Sequence, residues 1–108
     1  MRKSEYEWVS TNWEYIPIQM QTVLNSLPYE RMERQCFTKH EYPKDLMVIE
    51  KGIDIMGSEV KIGMRSANYR SYTYKILDGK GRIAKRIRGI NYLDFQQKVF
   101  KLYEEERR

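Results

Sequence analysis

The sequence has little cysteine and histidine and no long apolar run. Its 108 residues include one cysteine and one histidine. A single cysteine excludes a disulfide within the chain and is typical of a reducing compartment. No apolar run approaches the ~20 residues of a membrane helix, and the first residues do not lead into the apolar part of a signal peptide. We therefore expect a soluble, cytoplasmic protein that does not contact a membrane.

Catalytic and cofactor motifs are also missing. The sequence has no G-x-x-x-x-G-K-[ST] loop, no Rossmann glycine pattern and no G-x-S-x-G elbow. Cys36 and His40 are four residues apart, with Glu33 and Glu41 nearby, but zinc-ligand spacing is absent. Nothing supplies the orienting acid that a Cys–His nucleophile needs. The sequence predicts no cofactor, no metal and no enzymatic activity, with a metal-independent ribonuclease as the minor alternative.

The charge distribution is the most informative feature. The net charge is +5, but residues 1–60 carry 7 basic and 10 acidic side chains, whereas residues 61–108 carry 13 and 5. Between residues 61 and 88 the only acid is Asp78, against nine basic residues. Such segregation produces a positive field that attracts polyanions. A solvated face that keeps the protein soluble is the alternative explanation.

The hydrophobic periodicity predicts one α+β domain over residues 1–108. Apolar residues at helical spacing predict an N-terminal helical segment over 17–37, in which Met20, Val23, Leu24 and Leu27 face the core. A loop follows over 39–44. Alternation over 46–90 predicts an antiparallel meander of three to five strands with a hairpin at 78–81. A C-terminal helix over 91–106, capped by Asn91, packs on one face of the sheet.

Burial selects the register of the 78–81 hairpin. A loop with an even number of residues places Tyr72, Tyr74 and Ile76 on the same face as Ile83 and Ile87. A register slip of one residue would exchange the two faces. The opposite face then carries basic side chains and hydroxyl groups. With the turn residue Lys80, it gives the predicted nucleic-acid-binding set: Ser71, Thr73, Lys75, Lys80, Arg82, Arg86 and Arg88.

This cationic face favours a small protein that binds DNA, RNA or a nucleoprotein, of phage or mobile-element type. A two-stranded ribbon fits the major groove of DNA, and arginine often reads guanine there. The strands followed by a supporting helix are similar in topology to the DNA-binding sheet modules of phage integrase arms. Tyr69 shares the face and is suited to stack on an unpaired base.

A second resemblance involves residues 61–70. Lys61-Ile-Gly-Met-Arg65-Ser-Ala-Asn-Tyr69-Arg70, followed by Tyr72 and Tyr74, resembles the central strands of RelE-type toxins. The strand that follows departs from that family because it is basic where the family is apolar. The resemblance implies cleavage of messenger RNA on the ribosome, with Lys61, Arg65 and Arg70 contacting phosphate.

The remaining alternative is an interaction protein that inhibits a host enzyme or a CRISPR-type effector. The acidic N-terminal half is one candidate contact surface. If Trp8 and Trp13 are exposed, they favour this alternative, because aromatic anchors are common at the centres of interfaces. If they are buried, they belong to the core.

Overall fold

The architecture is one antiparallel sheet with helices on one side. The computed structural model describes residues 7–39, 42–66 and 70–106. In chain order the elements are β1 (Trp8–Ser10), a 3-10 turn (Trp13–Tyr15), α1 (Ile18–Ser26), β2 (Tyr29–Lys39), β3 (Tyr42–Asp54), β4 (Glu59–Ser66), β5 (Ser71–Leu77), β6 (Ile83–Gly89) and α2 (Tyr92–Glu106).

The six strands lie side by side in the order β1 to β6, and every neighbouring pair is antiparallel. The α+β class, the meander and the C-terminal helix packed on the sheet are confirmed. The described residues form six strands, so the prediction of three to five strands is wrong. β3 also begins at Tyr42, inside the predicted loop over 39–44.

Alternation along the central strands builds the core. Val60, Ile62 and Met64 of β4 pair with Ile76, Tyr74 and Tyr72 of β5. Because paired residues point to the same side of a sheet, these six form one surface, which the helices cover. Tyr72 and Tyr74 are buried, as predicted.

Both helices bury one apolar stripe against this surface. On α1 and just after it, Met20, Val23, Leu24 and Leu27 are buried, as predicted. On α2 the buried residues are Phe95, Val99, Leu102 and Tyr103. The Asp94 N–H donates to the Asn91 side chain at 2.8 Å, which confirms the cap. No helix in the described parts of the chain has the length and hydropathy to cross a membrane.

The helical prediction for residues 28–37 is wrong, because α1 ends at Ser26 and β2 begins at Tyr29. The register of β2 against β3 shifts between Arg31 and Glu33, so Met32 is an extra, bulged residue and is 65% exposed. A bulge moves later side chains to the other face. Tyr29 and Cys36 therefore both reach the core, although in a regular strand residues seven apart lie on opposite faces. A separation of seven also matches two helical turns.

The predicted hairpin register is confirmed over most of its length. Tyr74 pairs with Ile87, and Ile76 pairs with Lys85. A register shift then occurs between Ile76 and Leu77, so Ile83 pairs with Leu77 instead of joining the tyrosines and remains 45% exposed.

Candidate nucleic-acid interface

The two helices cover one face of the sheet, and we call the opposite one the open face. Its side chains follow from the register, because cross-strand partners and residues two apart share a face. Its central part consists of Met47, Ile49 and Lys51 on β3, Lys61, Gly63 and Arg65 on β4, Ser71, Thr73 and Lys75 on β5, and Arg86 and Arg88 on β6. All of these residues keep contact with solvent.

Four cations on the open face are direct cross-strand neighbours. Lys51 pairs with Lys61, Lys61 with Lys75, and Lys75 with Arg86. We call these four residues the cation row. With strands about 4.8 Å apart, the row extends for about 14 Å across β3 to β6.

Like charges placed directly opposite each other destabilise a sheet. Among the described residues, a carboxylate reduces this repulsion at one end of the row only, where Lys51 Nζ lies 3.8 Å from a Glu33 carboxylate oxygen. Within the described residues, no carboxylate forms an ion pair with Lys61, Lys75 or Arg86. The charges of these three residues remain available to a ligand.

The structure places five of the seven predicted site residues on the open face. Thr73 pairs with Arg88 and Lys75 with Arg86, and Ser71 lies on the same side of β5. Lys80 and Arg82 instead belong to the turn. Arg82 Nε lies 3.1 Å from Asp78 Oδ2, so part of its charge is already neutralised.

The same Asp78 carboxylate organises the turn. Its Oδ1 atom accepts hydrogen bonds from the backbone N–H groups of Lys80 and Arg82 at 2.8 and 2.9 Å. These donors lower the pKa of Asp78. The Asp78 and Arg82 side chains therefore have a structural role at the turn, whereas Lys80 contributes only its backbone N–H.

Sequence reasoning did not include Lys51 and Lys61 in the main site. Their place depends on how β3 and β4 align, whereas the sequence analysis derived a register only for the 78–81 hairpin. The alternation Val60-Lys61-Ile62-Gly63-Met64-Arg65 was a usable signal, since it already placed Lys61 opposite to the core.

Two of the residues implied by the resemblance to RelE-type toxins, Lys61 and Arg65, lie on the open face of β4, on either side of Gly63. Lys61 belongs to the cation row. Arg65 donates to the buried carboxylate of Asp45 at 3.0 and 2.7 Å. Arg70 is exposed just before β5, and Tyr69 lies outside the described residues.

Both tryptophans are half-buried and stacked on cations. The Arg34 guanidinium lies 3.4 Å from the centroid of the Trp13 ring, and Trp13 packs against the core. The Trp8 ring lies 5.2 Å from Lys39 Nζ and 5.0 Å from the Arg65 guanidinium. Neither ring is fully exposed or fully buried, and the interaction-protein alternative stays a prediction.

The open face contains a trough of about 410 Å³ between β3 and β5. Gly63 forms its floor, because a Cβ atom built there meets no other atom within 4 Å. Met47 and Ile49 line one side, and Ser71 and Thr73 line the other. Lys61 and Lys75, the middle of the cation row, lie at one end, and Arg65, which is paired with Asp45, lies at the other.

Three carboxylates lie in the interior, and none of them forms an ion pair with the cation row. Glu50 is fully buried and accepts hydrogen bonds from Tyr29 and Arg34. Asp54 accepts from the Tyr103 hydroxyl at 2.6 Å. Asp45 is paired with Arg65 as described above.

The tyrosines of this interior network are held neutral. Burial raises the pKa of Tyr74 to about 12. Burial, together with the hydrogen bond to Asp54, raises the pKa of Tyr103 far above its usual value. Burial and the hydrogen bond to Glu50 do the same for Tyr29.

The Cys36 region offers no metal site among the described residues. Cys36 lies on the helical side of β2, whereas Glu33 lies on the open face opposite Lys51. His40 and Glu41, the other predicted partners, lie outside the described residues. Burial raises the pKa of the Cys36 thiol, which disfavours the reactive thiolate.

A comparison of the chain with protein-family models, with curated proteins and with solved structures finds no match.

Proposed function

We propose that this protein binds nucleic acid, alone or in a nucleoprotein, through the cation row of the open face. The supporting observation is that four consecutive cross-strand neighbours are cations. Such a row costs stability in the free protein, and a polyanion relieves the cost by placing phosphates between the charges. The proposed role is binding, without a catalytic step.

Protection of a sheet edge explains only part of this charge. Lysine and arginine on an edge strand prevent pairing with other chains, and β6 is an edge strand that carries Lys85, Arg86 and Arg88. Lys61 and Lys75 lie on β4 and β5, which are paired on both sides. Their charges have no edge to protect, so they favour a ligand.

A charge-reversal variant tests this function. The double substitution Lys61→Glu and Arg86→Glu turns the row into alternating signs (Lys51, Glu, Lys75, Glu), which favours folding. We expect its affinity for a single-stranded oligonucleotide to fall by at least about tenfold near 0.1 M salt. The slope of log affinity against log salt should become shallower by about 1.4, because two phosphate contacts are lost. Fluorescence anisotropy at several salt concentrations measures both quantities.

The matched control is Lys85→Glu with Lys101→Glu. It changes the net charge equally, and both residues are exposed away from the open face, on β6 and α2. The control should retain more of its affinity than the row variant. Equal losses in the two variants would show that only net charge matters, and an unchanged row variant would contradict the proposal.

A further inference from the structure

The glycine at the floor of the trough is not required by the fold. Gly63 lies inside a central strand, where glycine is less stable than residues with a side chain. Gly52 and Gly89 are different, because a Cβ there would lie 2.4 Å from the Glu30 carbonyl oxygen and 2.3 Å from the Phe95 Cβ. At Gly63 the space is open, and its φ is not in the left-handed region. An interior glycine that neither packing nor backbone requires is typical of a place where a ligand approaches the strand closely.

The walls of the trough match a flat ring with polar edges. Met47 and Ile49 offer an apolar surface, and methionine sulfur packs well against aromatic rings. The Ser71 and Thr73 hydroxyls on the other side can each donate and accept a hydrogen bond. A volume of about 410 Å³ is within the range of small-molecule sites.

The position of the cations identifies what this ring is attached to. Gly63 is two residues from Lys61, and its partner Thr73 is two residues from Lys75. The floor is therefore about 7 Å along the strands from the middle of the cation row. A ring in the trough and an anion on the row are within the reach of one nucleotide.

We propose that the trough holds an unpaired base of a single-stranded nucleic acid whose phosphates lie along the cation row, an inference that rests on the proposed function. A duplex binds less well in this way, because its bases are stacked inside the helix and removing one costs free energy. The open face then selects single strands over duplexes, whereas the cation row alone would bind either.

The test combines Gly63→Val with an abasic probe. We expect Gly63→Val to fold as stably as the wild type and to lose at least about fivefold in affinity for a 12-mer single strand. Its affinity for duplex of the same length and its salt slope should not change, because no phosphate contact is lost. Ala84→Val, which adds a branched side chain at an exposed position of β6, should bind single strands like the wild type.

The abasic probe requires no variant. A 12-mer of sugar and phosphate without bases should bind the wild type at least about fivefold more weakly than the normal 12-mer. Measuring both DNA and RNA forms identifies the preferred sugar. Equal binding of abasic and normal strands, or an unaffected Gly63→Val variant, would overturn the base site while the cation row stands. Absence of binding to every probe by the wild type would instead overturn the proposed function itself.

Discussion

Two glycines in adjacent strands show how differently the same residue is used. Gly52 on β3 faces the core, where the Tyr29 ring passes over it to reach Glu50. A Cβ at Gly52 would lie 2.5 Å from that ring. Gly63 on β4 faces the open side, where a Cβ meets nothing within 4 Å. Packing therefore explains the first glycine, and the base site that we propose accounts for the second.

Alanine substitutions at these two positions should have opposite effects on stability. Gly52→Ala forces the Tyr29 ring or the β2 backbone to move, and we expect it to lower the free energy of unfolding by about 1–3 kcal/mol. Gly63→Ala removes backbone entropy from the unfolded state without a clash, and we expect a gain of up to about 1 kcal/mol. Urea denaturation of both variants measures the difference. A destabilised Gly63→Ala would mean that the fold requires this glycine.

Among the elements, β5 is where the cation row costs the most stability. Lys61 and Lys75 each have a like charge on both sides, but Lys51, one neighbour of Lys61, lies near the Glu33 carboxylate. The two neighbours of Lys75 are Lys61 and Arg86. Lys75→Glu converts both repulsive pairs into attractive ones, and we expect the free energy of unfolding to rise by about 1 kcal/mol at low salt. Affinity for nucleic acid should fall in the same variant.

The neutral variant Lys75→Gln provides the intermediate point in that series. Stability should increase in the order Lys, Gln, Glu, and affinity should decrease in the same order. Thermal melts at 0.02 and 0.5 M salt, combined with binding titrations, test both orders. The differences in stability should be smaller at high salt, because exposed charges are screened. If stability and affinity changed in the same direction across the series, the proposal that the cation row contributes to binding at a cost in stability would be contradicted.

The sequence predicted the elements whose pattern is regular. Met20, Val23 and Leu24 on α1 kept helical spacing, and the alternating tyrosines of β5 kept a period of two. β2 was missed because the bulge at Met32 disrupts the period of two, so Tyr29 and Cys36 match helical spacing. The bulge and the register between strands depend on tertiary packing, which periodicity does not encode.

The sequence predicted only the part of the candidate site that lies on the hairpin of β5 and β6. Thr73, Lys75, Arg86 and Arg88 belong to neighbouring strands joined by a short turn, so the register could be derived from burial. Lys51 and Lys61 belong to the previous hairpin, and their alignment with Lys75 requires the whole sheet. The trough depends on three strands at once and had no signal beyond an unexplained glycine.

Over the whole molecule, burial makes the surface more basic than the composition indicates. Asp45, Glu50 and Asp54 all come from the acidic first half of the chain and are at most 6% exposed. Their charges are compensated by Arg65, by Arg34 and by tyrosine hydroxyls. Because Glu50 and Asp45 are each paired with an arginine, the surface loses one more negative charge than it loses positive charges and is slightly more basic than the net charge of +5 indicates.

Two tyrosines that donate to these carboxylates, Tyr29 and Tyr103, should also limit stability at high pH, as should Tyr74, whose hydroxyl is hydrogen-bonded to that of Tyr103. In the unfolded chain they ionise near pH 10, whereas burial raises the pKa of Tyr74 to about 12 and those of Tyr29 and Tyr103 still higher. Above pH 10 the unfolded state loses protons that the folded state keeps, so stability falls as pH rises. Each tyrosine contributes about 1.4 kcal/mol per pH unit, and three contribute about 4.

Urea denaturation between pH 8 and 11.5, followed by circular dichroism, tests this prediction. We expect a nearly constant free energy of unfolding up to about pH 9 and a steep decline above pH 10. Deprotonation of lysines in the cation row acts in the opposite direction, because it relieves their repulsion. Tyr103→Phe separates the two effects, since it removes one tyrosine and leaves every lysine. The free energy of unfolding of this variant should decline less steeply, by about 1.4 kcal/mol per pH unit. A decline as steep as that of the wild type would mean that Tyr103 ionises as readily in the folded protein as in the unfolded chain.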